Sequence, residues 1–165
     1  MSCVRNLRDS VLKIQDGTPV TPLSVTVTPM KGDLAFTEAN PSITIKHRGA
    51  LDSRKRGDEM EMDVSFSFSF QQWERSAGAA TGTSIVDALA RRGGASAWVS
   101  THGACDVYAV NLVFEMTDPA NPASKETLTF ADFHAESIQF KEGDDAHQIS
   151  VSGRAFVTAP VRTYA

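Results

Sequence analysis

The sequence is poor in features that mark several protein classes. It has only two cysteines, Cys3 and Cys105, without paired spacing, which disfavours a secreted disulfide scaffold and favours a reducing cytoplasm. No segment approaches the roughly 18 apolar residues of a membrane span, and no apolar run follows Arg5 and Arg8, so we expect neither membrane insertion nor a signal peptide. The formal net charge is −4, so the chain lacks an overall basic field for gripping nucleic acid.

Catalytic motifs are also missing. The chain has no G-x-S-x-G elbow, no P-loop and no dinucleotide fingerprint. His134-Ala135-Glu136 matches half of a zinc deaminase signature, but the P-C-x-x-C half is absent. Cys105 has no predicted general base beside it, so we expect a free, partly buried thiol rather than a nucleophile. The histidines are dispersed, and we predict no catalytic residue, no metal site, no cofactor and no enzymatic activity: His47, His102, His134 and His147.

The length and composition indicate one soluble globular domain. The chain has 165 residues, of which 41% are hydrophobic and 22% charged, enough for one core. We expect a flexible arm over residues 1–9 and a single domain over residues 10–165. Alternating patterns and turn signals predict strands over residues 11–14, 23–28, 34–37, 42–47, 60–70, 97–100, 107–116, 126–130, 133–141 and 147–158, with a surface loop over 117–124.

One convincing helix interrupts these strands, over residues 84–92. Thr83 or Ser84 can cap it, Asp87 lies in its first turn, and Gly93-Gly94 ends it. A helix this short is not stable alone and must pack on a sheet. The fold class predicted is mainly β, with two packed antiparallel sheets forming a sandwich or curled barrel and one α-helix on the flank.

The clearest signal is the strict alternation from Met60 to Phe70. Such a period over eleven residues predicts a long strand with one apolar and one polar face. The apolar set is Met60, Met62, Val64, Phe66, Phe68 and Phe70. The polar set is Glu61, Asp63, Ser65, Ser67 and Ser69.

A charged connection, residues 48–59, separates this strand from the shorter strand 42–47, which we expect to be its antiparallel partner. Loops near a dozen residues are uncommon between paired strands and tend to be functional. Its basic block precedes an acidic block, which suits a head-to-tail contact between identical subunits, although a solvated loop is the plainer alternative. The predicted contact residues are Arg48, Asp52, Arg54, Lys55, Arg56, Asp58 and Glu59.

The polar face of the long strand has two interpretations. It is either the water-facing side of an ordinary sheet or, if subunits close into a ring, the lining of a smooth acidic channel. A negative lumen repels DNA phosphates and lets DNA slide. On polarity alone we predict that these residues face the lumen: Glu61, Asp63, Ser65, Ser67 and Ser69.

The order of these parts resembles the tail tube (major tail) proteins of long-tailed bacteriophages. The resemblance covers roughly residues 10–158. It rests on LKIQDGT at 12–18, HRGALDSRKRGDEMEMDVSF at 47–66, SIVDALARRG at 84–93, SAWVS at 96–100, C-x-x-Y-A-V at 105–110, LTFADF at 128–133 and ISVSG at 149–153.

The resemblance implies the phage tail tube fold and a structural role in the virion. Subunits would form hexameric rings, assembled in the host cytoplasm, that stack into a tail tube delivering DNA to the host. Residues 48–59 would reach the neighbouring ring, and the implied partners are tape measure and tail terminator proteins with transient passage of DNA. The alternatives are a related ring-forming terminator or secretion tube protein, a monomeric β-sandwich that binds a small ligand, and, third, a small enzyme.

Overall fold

The computed structural model describes residues 9–27, 32–69 and 82–165, with the backbone alone at 75–76 and 79–80. Most of the predicted arm, and Phe70, lie outside these residues. Among the described residues there is one α-helix, α1 (Ile85–Ala90), and every strand pairing is antiparallel. The strands are β1 (Ser10–Gln15), β2 (Ser24–Val27), β3 (Ala35–Thr37), β4 (Ser42–His47), β5 (Ala50–Arg56), β6 (Met62–Ser69), β7 (Arg75–Ser76), β8 (Ala79–Ala80), β9 (Val110–Asp118), β10 (Asn121–Lys141), β11 (Gln148–Ala155) and β12 (Val161–Tyr164).

Eight strands form one continuous sheet in the order β2-β1-β9-β10-β11-β6-β3, with β12 also paired to β10. The long strand β10 belongs to two halves of this sheet. Its first part pairs with β12 and its second part with β11, and the pairing with β9 shifts register between Phe130 and Phe133. Asp132, inside this shift, has a φ of 52°. Residues 126–130 and 133–141, predicted as two strands, are therefore one strand with an irregularity between them.

The two halves face each other across a single core. Phe36 on β3 and Phe130 on β10 lie three strands apart in the sheet, about 14 Å in a flat sheet at 4.8 Å per strand. Their ring centroids are nevertheless 5.1 Å apart, so the sheet curls back on itself. This confirms the mainly β class with packed antiparallel sheets. The core includes Leu12, Ile14, Val64, Phe66, Leu112, Phe130, Phe133 and Val151.

The predicted helix exists but ends earlier than residue 92. Ser84 is its N-cap, and its hydroxyl oxygen accepts the Asp87 N–H at 2.8 Å. Arg91 ends the helix in the left-handed region with a φ of 50°. The Tyr108 hydroxyl donates to the Ala88 carbonyl at 2.9 Å, and burial raises the pKa of Tyr108 to about 12. The helix is thereby tied to the segment that enters β9.

The predicted strand over residues 97–100 is wrong. A short 3-10 helix, Gly93–Ala95, is followed by an irregular segment that still buries Trp98. Its backbone bonds the turn after β1 instead of a sheet: the Gly17 N–H donates to the Val99 carbonyl at 2.8 Å, and the Val99 N–H donates to the Asp16 carboxylate at 3.2 Å. Asp16 is buried there and holds the loop between β1 and β2 against this segment.

Two further boundaries differ from prediction. Residues 117–124 are not a surface loop, because β9 extends to Asp118 and β10 starts at Asn121 after a turn of two residues. β12 follows β11 after residues 156–160 and continues along the same side of β10. Within the described ranges, no helix has the length and apolarity to cross a membrane.

Candidate functional site: an exposed hairpin and a polar sheet face

The charged segment after His47 is not a loop but half of a β-hairpin. β4 turns through Arg48 and Gly49 and returns as β5, with which it pairs. Both turn residues have positive φ, 49° and 86°, as two-residue hairpin turns that follow the strand twist require. The predicted pairing of residues 42–47 with the long strand is therefore wrong, since β6 lies between β11 and β3.

The predicted contact residues lie along this hairpin and in the segment that leads to β6. All of them are exposed: Arg48, Asp52, Arg54, Lys55, Arg56, Asp58 and Glu59. Arg56 Nη2 lies 3.1 Å from Glu59 Oε1. Because both side chains are mostly solvated, this pair contributes little to stability. One residue of the basic block therefore contacts one residue of the acidic block within the same chain.

Both faces of the hairpin carry basic and apolar side chains. Residues directly opposite each other on paired strands share a face, so the register places Arg54 beside Thr44 and Arg56 beside Ser42 on one face, where Lys46 lies beside Leu51. Ile43 and Ile45 lie on the other face, with Lys55 beside Ile43. The hairpin therefore presents a mixed basic and apolar surface on both sides.

The hairpin exposes two large apolar side chains. Ile43 is 54% exposed and Leu51 is 77% exposed, while the Gly57 N–H donates to the Pro41 carbonyl at 2.8 Å and closes the hairpin base. A two-stranded hairpin alone is marginally stable in water. Interfaces combine apolar contacts with a polar rim, and the hairpin exposes side chains of both kinds.

The alternation predicted for the long strand is confirmed over β6. Met62, Val64, Phe66 and Phe68 are at most 2% exposed, and Glu61, Asp63 and Ser65 are exposed on the opposite side. Met60 precedes the strand and is exposed. The strand thus presents a polar surface outward from the core.

Small polar side chains extend this surface across the neighbouring strands. Ser65 lies opposite Ser152 on β11, and Ser67 lies opposite Ser150. On the far side of β11, Ser137 of β10 lies opposite Ser152. The result is a serine-rich polar face over three strands that also includes Ser69 and Gln139.

Ser67 differs from its neighbours because it is buried. Its N–H donates to Asp33 at 2.8 Å, and its hydroxyl makes a short hydrogen bond to the other carboxylate oxygen of Asp33. Gln148 Nε2 donates to the Ser67 hydroxyl at 3.0 Å. β3 pairs with β6 only as far as Ser65. At Ser67, beyond this pairing, the Asp33 carboxylate accepts the hydrogen bonds from the backbone N–H and the hydroxyl.

A charged cluster occupies one end of the polar face. The guanidinium of Arg154 lies 3.6 Å from Glu61, 3.6 Å from Asp63 and 3.5 Å from Glu136. These are exposed pairs and add little to stability. One cation among three carboxylates leaves this end of the face negative, with Arg154 holding the acids together.

Two of the histidines considered for catalysis make polar contacts within the fold. His134 Nδ1 lies 2.8 Å from the Tyr108 carbonyl oxygen, a contact that ties β10 to the segment before β9. His102 lies between the carboxylates of Asp106, at 3.5 Å, and Asp132, at 3.4 Å. Cys105 is exposed, so its predicted partial burial is wrong. Across residues 9–27, 32–69 and 82–165 no cluster of metal-ligating side chains is present.

Sequence reasoning missed two elements of the polar face. The contribution of β11 is visible in the alternation of Ser150, Ser152 and Arg154, which repeats the pattern of β6 but was not assigned to the same surface. Asp33 had no sequence signal, because its role depends on where β3 ends relative to β6.

Several solved structures have a fold similar to that of this chain. No family model and no curated protein matches the chain. The sheath/tube terminator of an extracellular contractile injection system (PVC) has 8% identity and a TM-score of 0.64, with 98% of each chain covered. A chain of the PVC sheath-tube complex has 6% identity and a TM-score of 0.60 over 98% of this chain and 93% of that one. A chain of the anti-feeding prophage baseplate has 10% identity and a TM-score of 0.52, with 100% and 97% covered.

The TM-scores and coverages show a shared fold, and at identities of 10% or less the likeness shows the fold alone. The protein has the mainly β fold found in structural subunits of contractile, phage-tail-like injection systems.

Proposed function

We propose that the protein is a structural subunit of a phage tail tube that forms hexameric rings and stacks them into a conduit for DNA. The observation that carries this proposal is the fold match to a chain of a sheath-tube complex over 98% of this chain. The proposal places the protein in the virion, assembled in the host cytoplasm, with tape measure and terminator proteins as partners. It assigns the chain no catalytic role.

The serine-rich polar face would line the lumen of such a tube. Its side chains are short on β6 and β11, and its charged end carries more carboxylates than cations. A surface of this kind makes few apolar contacts and repels phosphates. Within the predicted set, Glu61, Asp63, Ser65 and Ser69 would face the passing DNA, whereas Ser67 would support Asp33 beneath it.

The hairpin β4–β5 would supply the contact between rings. It is exposed along both strands, and its charges and its apolar side chains are available to a neighbouring subunit. The predicted contact residues Arg54 and Lys55 lie on β5 toward the base of the hairpin, opposite Thr44 and Ile43, and both are exposed.

A ring-forming tail terminator is the second candidate, and a specific observation favours it. The PVC sheath/tube terminator matches with a TM-score of 0.64 and is covered over 98% of its own length. A terminator would form a ring but would not continue stacking. The two functions therefore differ in assembly and not in fold.

Light scattering after size exclusion, with negative-stain microscopy across a range of protein concentrations, tests the proposal. We expect rings of six copies that grow into tubes as the concentration rises. Rings that never stack would favour the terminator. A monomer at every concentration would contradict both and favour a ligand-binding module.

A further inference from the structure

The basic hairpin, residues 42–56, lies at one end of β6, and a turn of opposite charge lies at the other end. It leads into the start of β6 through residues 57–61, whereas the turn between β10 and β11 lies beyond the end of β6, because Ser69 pairs with Gln148. β6 has eight residues, which span about 26 Å at 3.3 Å each. The hairpin and this turn therefore lie at opposite ends of the strand.

The two ends differ in the sign of their charge. The hairpin carries five basic residues against a single acid, Asp52, and its basic residues are exposed: Lys46, Arg48, Arg54, Lys55 and Arg56. The turn, which we call the acidic tip, has three exposed carboxylates, those of Glu142, Asp144 and Asp145. Such complementarity orients and selects partners in protein interfaces.

Apolar side chains accompany the charges at both ends. Ile43 and Leu51 are exposed on the hairpin, and Phe140, 59% exposed, adjoins the acidic tip next to the His147 ring at 5.4 Å. Interfaces combine buried apolar contacts with a polar rim. Both ends carry the two components that such a contact needs.

We propose that the basic hairpin of one copy docks on the acidic tip of the next copy, head to tail along β6. This rests on the proposed function, in which the hairpin contacts the neighbouring ring, and it names the surface that receives the hairpin. Because the two surfaces are different, the contact is heterologous, and repeated from ring to ring along the tube axis it would build an open stack. Glu59, in the acid block next to the hairpin, is already paired with Arg56 of its own chain.

Charge-swapped variants test the contact. One variant carries Arg54→Glu, Lys55→Glu and Arg56→Glu, which leaves the hairpin with two basic and four acidic residues. The other carries Asp144→Lys with Asp145→Lys, which leaves the tip with two basic residues and one acidic residue. Each alone should need at least about tenfold more protein than the wild type to stack at physiological salt, because like charges would face each other. An equimolar mixture should stack readily. The acidic hairpin of the first variant meets the basic tip of the second, and the basic hairpin of the second meets the acidic tip of the first.

The matched control is Lys125→Glu with Arg162→Glu, which reverses two exposed charges on β10 and β12, outside both surfaces, and should leave stacking unchanged. Circular dichroism checks folding. If the lysine variant of the tip does not fold, Asp144→Asn with Asp145→Asn replaces it and should also raise the protein concentration needed for stacking.

A tip variant that stacks like the wild type, or a mixture that stays unstacked, would overturn the inference, whereas wild-type tubes would still support the proposed function. A wild type that never assembles would overturn both.

Discussion

The curl of the sheet predicts an energetic coupling between Phe36 and Phe130. The two rings meet edge to face with centroids 5.1 Å apart, although their strands are three positions apart in the sheet. Replacing each phenylalanine by leucine keeps most of the apolar volume but removes the ring contact. Aromatic pairs of this geometry contribute about 0.5–1.5 kcal/mol beyond the area they bury. The double-mutant cycle should therefore return a coupling free energy in that range.

Urea unfolding followed by far-UV circular dichroism, at concentrations where the protein is monomeric, measures this coupling. Phe36→Leu, Phe130→Leu and the double variant form the cycle. The matched control pairs Phe36→Leu with Phe156→Leu, because Phe156 is 59% exposed and contacts His102 instead. Free energies of unfolding for such separate sites add within about 0.5 kcal/mol. A Phe36–Phe130 coupling no larger than the control would mean that β3 does not fold over β10.

Three further predictions concern the strand irregularity, the buried acid and the polar face. Gly153→Ala should lower the free energy of unfolding by about 2–3 kcal/mol, because its Cβ would collide with the His134 carbonyl and lie 3.0 Å from Ala135 Cα; urea unfolding checks this. For Asp16, burial raises the pKa, but hydrogen bonds from the Thr18 hydroxyl and three backbone N–H groups outweigh it and hold the pKa below 3.8. The stabilisation that the Asp16 carboxylate gives is fully present above pH 3.8, the ordinary pKa, and is lost as the pH falls through the lower pKa of the folded protein. Acid unfolding of Asp16→Asn should therefore lack this loss of stability at low pH. Ser65→Lys should leave tubes intact but make them bind short DNA in co-sedimentation, whereas wild-type tubes should not; equal binding would mean that Ser65 faces away from the lumen.

The strand β6 could be predicted from the sequence because one of its faces is buried and the other is not. That difference imposes the period of two on the apolar residues from Met62 to Phe68. Alternation does not reveal which strand pairs with which, so the assumed partner, residues 42–47, was wrong. Pairing follows from tertiary contacts with β11 and β3.

The hairpin could not be predicted because neither face of β5 is buried. Seven mostly charged residues carry no hydrophobic period, and Arg48 gives no composition cue for its positive φ. β10 was divided for a related reason: Asp132 takes a left-handed conformation within a single strand. In both places the conformation is set by the turn or by pairing across the sheet.

The helix cap and the exposed charges of the candidate site were predictable from local pattern. The other residues of the site could be identified only from the folded structure. Arg154 and Asp33 reach the polar face from β11 and from the segment before β3, far from β6 in sequence. The sequence therefore identified the outward residues of β6 but not the surface around them.

Electron cryomicroscopy of the assembled protein tests the central claim most directly. The account predicts stacked rings of six copies, with Ser65 and Ser152 facing a central channel and the β4–β5 hairpin lying between successive rings. An assembly in which this polar face points outward, or a protein that remains monomeric at high concentration, would contradict it.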